Sequence, residues 1–319
     1  MVDGSGSDDA VALRGPLRDD PWMSVLLELM QEHARFALPG LRRDLERFGT
    51  AWLAEAEDLV ATFYPQSSLQ REALRAYGRF TIDTMRRQRR FEQLGRYEAR
   101  PPAGTAGALD EQRRQQDYLP GLLLSHYLWP QHYQQLCFFR ESFVPRLVQA
   151  RSGRLLEVGI GSGLFMRLAL QALPAARGLG LDLSETALAF SRRHAARYGL
   201  SGRFEARHHD LLQAPLAEHF DALICVEVLE HLEKPESLLR ALRRQVEPSA
   251  YVFVSAALNA ADIDHVHLYR EPGAVLRQVE AAGFRVEAAR LSEGRAQGPA
   301  GVPVPAVLAL IMRPSEVST

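Results

Sequence analysis

An apolar run that breaks into three closely spaced glycines constrains this chain more than any other feature. Leu155-Leu156-Glu157-Val158-Gly159-Ile160-Gly161-Ser162-Gly163 leads straight into a segment, 164–172, whose apolar residues have helical spacing. A buried strand that ends in glycines and opens a helix is the setting of a ligand-cradling loop. Glycine permits the tight turn, and its missing side chain lets a ligand approach the backbone. The spacing is G-x-G-x-G, not the G-x-G-x-x-G of nicotinamide-cofactor folds, and Glu157 stands two positions before the first glycine.

Short apolar runs alternate with amphipathic segments from Arg154 onward. Strands are expected at 155–158, 178–183, 204–209, 220–226 and 251–256, with helices at 164–172, 185–198, 235–246 and 272–282 between or after them. Residues 284–290 and 306–312 then suit a terminal hairpin across the loop 293–303. Strands this apolar need cover on both faces, which predicts an α/β, doubly wound sheet of seven strands.

The first half reads differently. Residues 1–20 are rich in Gly, Ser, Asp and Arg and are expected to form a flexible tail without a secretory h-region. Residues 21–150 read as an all-helical cap that encloses the substrate, and 151–319 as the ligand-binding domain. Asp20 and Pro21 suit the start of a first helix ended by Pro39-Gly40, and a second is expected over 41–63. A third begins at Ser67 with Gln70 placed for a capping box and reaches toward Tyr97. Pro101 to Gly107 is a break, and 108–149 resume helically with interruptions near Pro120 and Pro130.

Composition removes whole classes of function. Lys+Arg 38 against Asp+Glu 39 leaves a net charge of −1, which supplies no field for nucleic acid or anionic membrane. The basic residues are nearly all arginine, Lys234 being the one lysine. Cys137 and Cys225 fit neither a disulfide framework nor a paired zinc spacing, so a reducing, cytoplasmic setting is expected. No apolar stretch approaches the roughly 18 residues of a membrane span.

With these residues in order, the segment 154–312 resembles the class I S-adenosylmethionine (SAM)-dependent methyltransferases. The resemblance implies a Rossmann-like core. In it Glu157, Gly159, Gly161 and Gly163 line the methionine and sugar of SAM, and Asp182, with Leu183 after it, binds the ribose hydroxyls. Asp210 and Leu211 meet the adenine. The segment from Phe220 to Leu232 matches the fourth-strand motif, with Glu227 in the floor beneath the sulfonium. SAM is the implied cofactor or co-substrate.

Glu227-x-x-Glu230-His231 is similar to the metal site of ubiquinone-pathway and small-RNA O-methyltransferases, where His265 or His267 would complete a ligand set. Many metal-free methyltransferases carry the same string, and no metal is expected. His265, His267 and His231 are the candidates for removing an acceptor proton. The segment 118–143 concentrates Tyr118, Tyr127, Trp129, Tyr133, Phe138, Phe139 and Phe143, suited to covering the pocket mouth; half or more should pack the cap onto the sheet. Tyr133 and Arg140 are the candidates for touching SAM from this side. The arginines at 86, 87, 89, 90 and 96 read as a solvated helix face, with docking of an acidic carrier protein as the alternative.

These readings combine into SAM-dependent methyl transfer to a small-molecule acceptor, of the kind found in secondary-metabolite biosynthesis. No nucleic acid or membrane partner is expected, and the apolar helix faces of the cap leave a homodimer open. The layout is also similar to azetidine-2-carboxylate synthases, which would make SAM the sole substrate, cyclised with release of methylthioadenosine. A SAM-binding pseudoenzyme is the third reading.

Overall fold

The computed structural model describes residues 26–28, 30–31, 38–97, 114–294 and 303–315. The expected tail, the start of the first helix, the Pro101–Gly107 break and most of the loop 293–303 lie outside them. Among the described residues, no helix is long and apolar enough to cross a membrane.

Five parallel strands form the left and centre of one sheet: β1 (Arg154–Val158), β2 (Arg177–Asp182), β3 (Phe204–His208), β4 (Phe220–Val226) and β5 (Val246–Leu258). The terminal hairpin, β6 (Phe284–Glu293) and β7 (Ala306–Pro314), closes it antiparallel to β5, in the order β3-β2-β1-β4-β5-β7-β6. β1 pairs with β2 on one side and β4 on the other. The order therefore reverses at β1, and a crevice opens at the carboxyl ends of β1 and β4, the place where open α/β sheets bind ligands.

Alternation along the strands sorts side chains into two layers. Leu156, Leu223 and Val252 enter one core with α9 (Pro235–Arg244) and α10 (Pro272–Ala281). Leu155, Ala222 and Phe253 enter the other, with α7 (Leu164–Ala172), α8 (Glu185–Arg197) and the helical first half. Phe253 is the hub, lying 5.1 Å from the Phe139 ring and 5.4 Å from that of Phe143. One contiguous core therefore runs across residue 150, where the element type changes.

The helical half comprises α1 (Leu38–Phe48), α2 (Thr50–Phe63), α3 (Ser67–Leu94), α4 (Leu119–Leu128), α5 (Pro130–Phe138) and α6 (Val144–Ala150), with π-helical turns at Arg114–Tyr118 and Phe139–Phe143. Pro39-Gly40 lies in the first turn of α1, where proline's missing N–H costs nothing, and residues 32–37, over which the expected first helix would reach it, lie outside the described ones. The single helix expected over 41–63 is broken at Gly49, whose φ of 76° is left-handed. The capping box at Ser67 does not form: Gln66 is the N-cap and its side chain caps nothing. Pro120 sits in the first turn of α4 without interrupting it, and the break before Pro130 falls at Trp129, which proline pushes into extended backbone.

Candidate active site

Helix α3 is stitched to the sheet through the loop after β5. The Gln88 amide donates to the Asn259 carbonyl at 3.0 Å and accepts from the Ala261 N–H at 2.9 Å. Tyr97 donates to Ala260 O at 2.9 Å. Between α3, α4 and the carboxyl ends of the strands lies a cavity of about 490 Å³.

Its sheet side is built by the glycine loop. Gly159 and Ile160 donate to the Leu181 carbonyl at 2.8 and 3.0 Å, which folds the loop back over β2. Gly159, Gly161 and Gly163 all have positive φ. A Cβ on Gly159 would stand 2.5 Å from Val228, and one on Gly163 would stand 2.9 Å from Ser191. Glu157 is buried, and burial pushes its carboxyl well above the usual range; Oε2 accepts the Met166 N–H at 2.9 Å, fixing the start of α7. Asp182 takes the Gly161 N–H on one oxygen at 3.0 Å and the Ser184 N–H on the other at 2.9 Å. Asp210 is tied to the Leu212 N–H at 2.9 Å. Asp182, Leu183, Asp210 and Leu211 all line the cavity.

Glu227 ends β4 in a conformation that residues other than glycine rarely adopt, with φ at 52°. Its N–H donates to Ser255 Oγ at 3.1 Å, and that hydroxyl oxygen also accepts from the buried Gln135 amide at 2.7 Å. Helix α5 thus helps to set the floor of the cavity. Glu227 Oε2 faces His132 Nε2 at 3.5 Å. The other nitrogen of His132 contacts Ser125 Oγ at 2.9 Å, and Ser125 gives its own proton to the Leu122 carbonyl. Nδ1 of His132 is therefore the donor in that contact. Burial alone would raise the Glu227 carboxyl, but His132, His126 and His265 together pull it down to about 2.

A second cluster borders the floor. His231 Nδ1 lies 3.1 Å from Asp264 Oδ1; burial works against the charged ring, yet this contact carries it up to about 9. His265 stands edge-on to His231 with ring centres 4.8 Å apart, and its Nδ1 donates to Ala260 O at 2.9 Å. Burial and the neighbouring His231 hold His265 below the usual histidine range. Glu230 is sealed from solvent, and burial raises its carboxyl to about 8. Glu230, His231 and His265 each offer one ligand atom, all within 4.8 Å of one another. A cation there would have to displace the Glu230 proton, because metal ligands bind deprotonated.

Most of the expected site residues meet in this cavity, and four do not line it. The His267 ring lies tilted against Tyr269 with centres 4.5 Å apart, and its backbone N–H donates to the Glu230 carbonyl. Gly163 turns into α8 instead. Tyr133 packs against Phe48 at 5.1 Å, and Arg140 pairs with Glu55 at 2.6 Å, so neither side chain lines the cavity. Tyr133, on α5, also meets Trp52 of α2 at 6.1 Å, and Arg140, in the π-helical turn that follows α5, reaches Glu55 of the same helix α2, so both face α2. Of the aromatic segment, Tyr118 and Trp129 reach the cavity, and Tyr127, Phe138, Phe139 and Phe143 join the core. His126 and His132, which lie within the segment expected over the pocket mouth, also line the cavity, whereas Phe80 was not foreseen there. Phe80 carries no local signal, since it arrives from a helix some forty residues upstream of α4.

Residues 156–254 match the family described as "Methyltransferase domain". The chain is 31% identical over 116 residues to the ubiquinone biosynthesis O-methyltransferase of Pseudomonas putida (strain W619), covering 36% of this chain and 49% of that protein. The corresponding protein of Pseudomonas fluorescens (strain SBW25) gives the same identity and coverage. The chain thus spans about half the length of the curated relatives it matches. Among solved structures, an O-methyltransferase family protein from Burkholderia thailandensis aligns with a TM-score of 0.56 at 14% identity, over 76% of this chain and 72% of that one. The N-methyltransferase NodS from Bradyrhizobium japonicum, solved with S-adenosyl-L-homocysteine, aligns with a TM-score of 0.50 at 17% identity, over 65% of this chain and 98% of that one. At such identities these two likenesses concern the fold.

Proposed function

We propose, from a core that belongs with the class I SAM-dependent methyltransferases, that this protein transfers a methyl group from SAM to a small-molecule acceptor. One observation carries the reading: the glycine loop, Asp182, Asp210 and Glu227 border one cavity at the point where the strand order reverses. Asp182 keeps lone pairs for the ribose hydroxyls beyond the two backbone N–H groups it accepts. Leu183, 61% exposed at the mouth, offers an apolar surface to the adenine.

SAM supplies an electrophilic methyl group on a sulfonium. The chain's part is to hold donor and acceptor in line and to exclude water, for which a cavity walled by α3 and α4 is suited. The ionised Glu227 carboxylate favours positive charge above it. His265 has its Nδ1 proton committed to Ala260, which leaves the Nε2 lone pair to receive an acceptor proton. A cavity walled by α3 and α4 and a near-neutral charge favour a small metabolite over a polymer.

The test is incubation of the pure protein with SAM alone. A methyltransferase without an acceptor should hold SAM and release little S-adenosylhomocysteine. Enzyme-dependent methylthioadenosine, above the spontaneous breakdown of SAM, would overturn the reading in favour of intramolecular cyclisation, in which the nucleophile is SAM's own amine.

A further inference from the structure

The cap side of the cavity has a chemistry that the methyltransferase reading does not specify. Phe80 and Trp129 stack with ring centres 5.3 Å apart and planes 22° apart, and Tyr118 meets Phe80 edge-on at 5.6 Å. Trp129 lies 5.0 Å from the His132 ring, and His132 faces Glu227 at 3.5 Å. An aromatic row thus runs unbroken into a carboxylate. Gly121 makes the row possible, because a Cβ there would stand 2.4 Å from Phe80 Cβ.

Among the described residues, no arginine or lysine lines this cavity, whereas Glu227, Asp262 and Asp264 do. An acceptor bearing a carboxylate or phosphate would meet no arginine or lysine there, and the His231 ring, carried up to about 9, is already paired with Asp264. A phenolate formed for O-methylation would develop its charge beside Glu227. Two buried polar atoms also lack a hydrogen-bond partner: Glu227 Oε1, and Nδ1 of His126, a residue only 4% exposed. Glu227 accepts hydrogen bonds and cannot donate while ionised, so its natural partner is a cationic N–H donor. Aromatic faces beside it attract the same charge.

We propose that the acceptor is an amine: a small molecule with a protonatable nitrogen on an apolar or aromatic body, seated between the Phe80–Trp129 wall and Glu227. The inference rests on the methyltransferase reading and narrows it to N-methylation. The bound ammonium gives one proton to His265 Nε2, which passes it to water. The nitrogen lone pair then forms a bond to the methyl carbon while the carbon–sulfur bond breaks with its electron pair left on sulfur. The products are an N-methylammonium and S-adenosylhomocysteine, and the positive charge moves from sulfur to nitrogen.

Three near-isosteric probes test this: 2-phenylethylamine, 2-phenylethanol and 3-phenylpropanoate, titrated calorimetrically at pH 7.5 into protein saturated with S-adenosylhomocysteine. The amine should bind at least tenfold tighter than the alcohol, and the carboxylate at least tenfold more weakly than the alcohol. Glu227→Gln and Trp129→Leu should each cut the preference for amine over alcohol to threefold or less, with S-adenosylhomocysteine affinity followed in each variant. If S-adenosylhomocysteine binds and the alcohol or carboxylate equals the amine, or none of the three binds, the amine assignment is overturned. Failure to bind S-adenosylhomocysteine at all would overturn the methyltransferase reading beneath it.

Discussion

Glu227 and Glu230 stand three positions apart yet are driven in opposite directions, because one faces His132 and the other is sealed beneath the loop after β5. Glu230 Oε1 accepts the Ala257 N–H at 3.1 Å, and its backbone carbonyl takes the N–H groups of Val266 and His267 at 2.9 Å each. That is too little to offset burial, so the carboxyl keeps its proton up to about 8. A carboxyl raised above its unfolded value of about 4.5 contributes stability that is complete below that pH and is lost as pH climbs to about 8. Each pH unit in this window costs at most about 1.4 kcal/mol for one proton. Glu230→Gln keeps the shape and the Ala257 bond but has no proton to lose. Urea melts at pH 5, 6.5 and 8 should therefore show the wild type losing stability with rising pH and the variant losing distinctly less. Parallel losses would mean that Glu230 is ionised in the fold. His231, carried up to about 9 chiefly by Asp264, adds a loss of the same sign between about 6.5 and 9 that the variant largely keeps.

At the scale of elements, the sheet was legible because its signals are local. Apolar runs of strand length, glycines at the turn and acidic residues at strand ends each declare themselves within ten residues, and the family resemblance that implies roles for Asp182, Asp210 and Glu227 rests on such short strings. The helical half was not legible to the same degree. Tyr133 and Arg140 looked exposed to the cavity because a helix face shows its direction only once its neighbours are known. The aromatic row depends on Phe80 and Trp129 meeting across two helices. Gly121 is the hinge of that meeting, and it yields a prediction whose sign runs against helix propensity. Glycine to alanine inside a helix ordinarily gains about 1 kcal/mol. Gly78 in α3 has nothing within 4 Å of a would-be Cβ, so Gly78→Ala should stabilise by up to that amount. Gly121→Ala would press on the Cβ and Cγ of Phe80 at 2.4 and 2.6 Å, atoms too close to the backbone of α3 to swing aside. Overpacking of this kind costs about 1–3 kcal/mol and should outweigh the propensity gain, giving net destabilisation in urea melts. A stabilised Gly121→Ala protein would show that α3 and α4 part freely and that the wall is loosely held.

At the scale of the whole molecule, three kinds of contact tie the helical half to the sheet: the Phe139–Phe253 core, the Gln135–Ser255 hydrogen bond and the Gln88 bridge to residues 259 and 261. The first two hold α5 and the π-helical turn after it to β5 beneath the cavity, and the third holds the far end of α3 over it. The two regions differ in their means of staying closed. The seam beneath is apolar and buried, whereas the Gln88 bridge is partly buried hydrogen bonding, which opens at lower free-energy cost. A ligand that fills the cavity adds its binding energy to any opening that must release it, about 2.7 kcal/mol at a concentration 100 times its Kd. Hydrogen exchange with and without saturating S-adenosylhomocysteine reads this directly. Exchange should slow in three separate stretches: the glycine loop 159–163, the α3 segment 84–88 and the loop 259–265. Exchange at the Phe139–Phe253 seam should change least, because it does not have to open for the ligand to leave. Protection confined to the glycine loop and the ends of β2 and β4 would mean that α3 does not close over the bound ligand, and the enclosed site on which selectivity for a small acceptor depends would be lost with it.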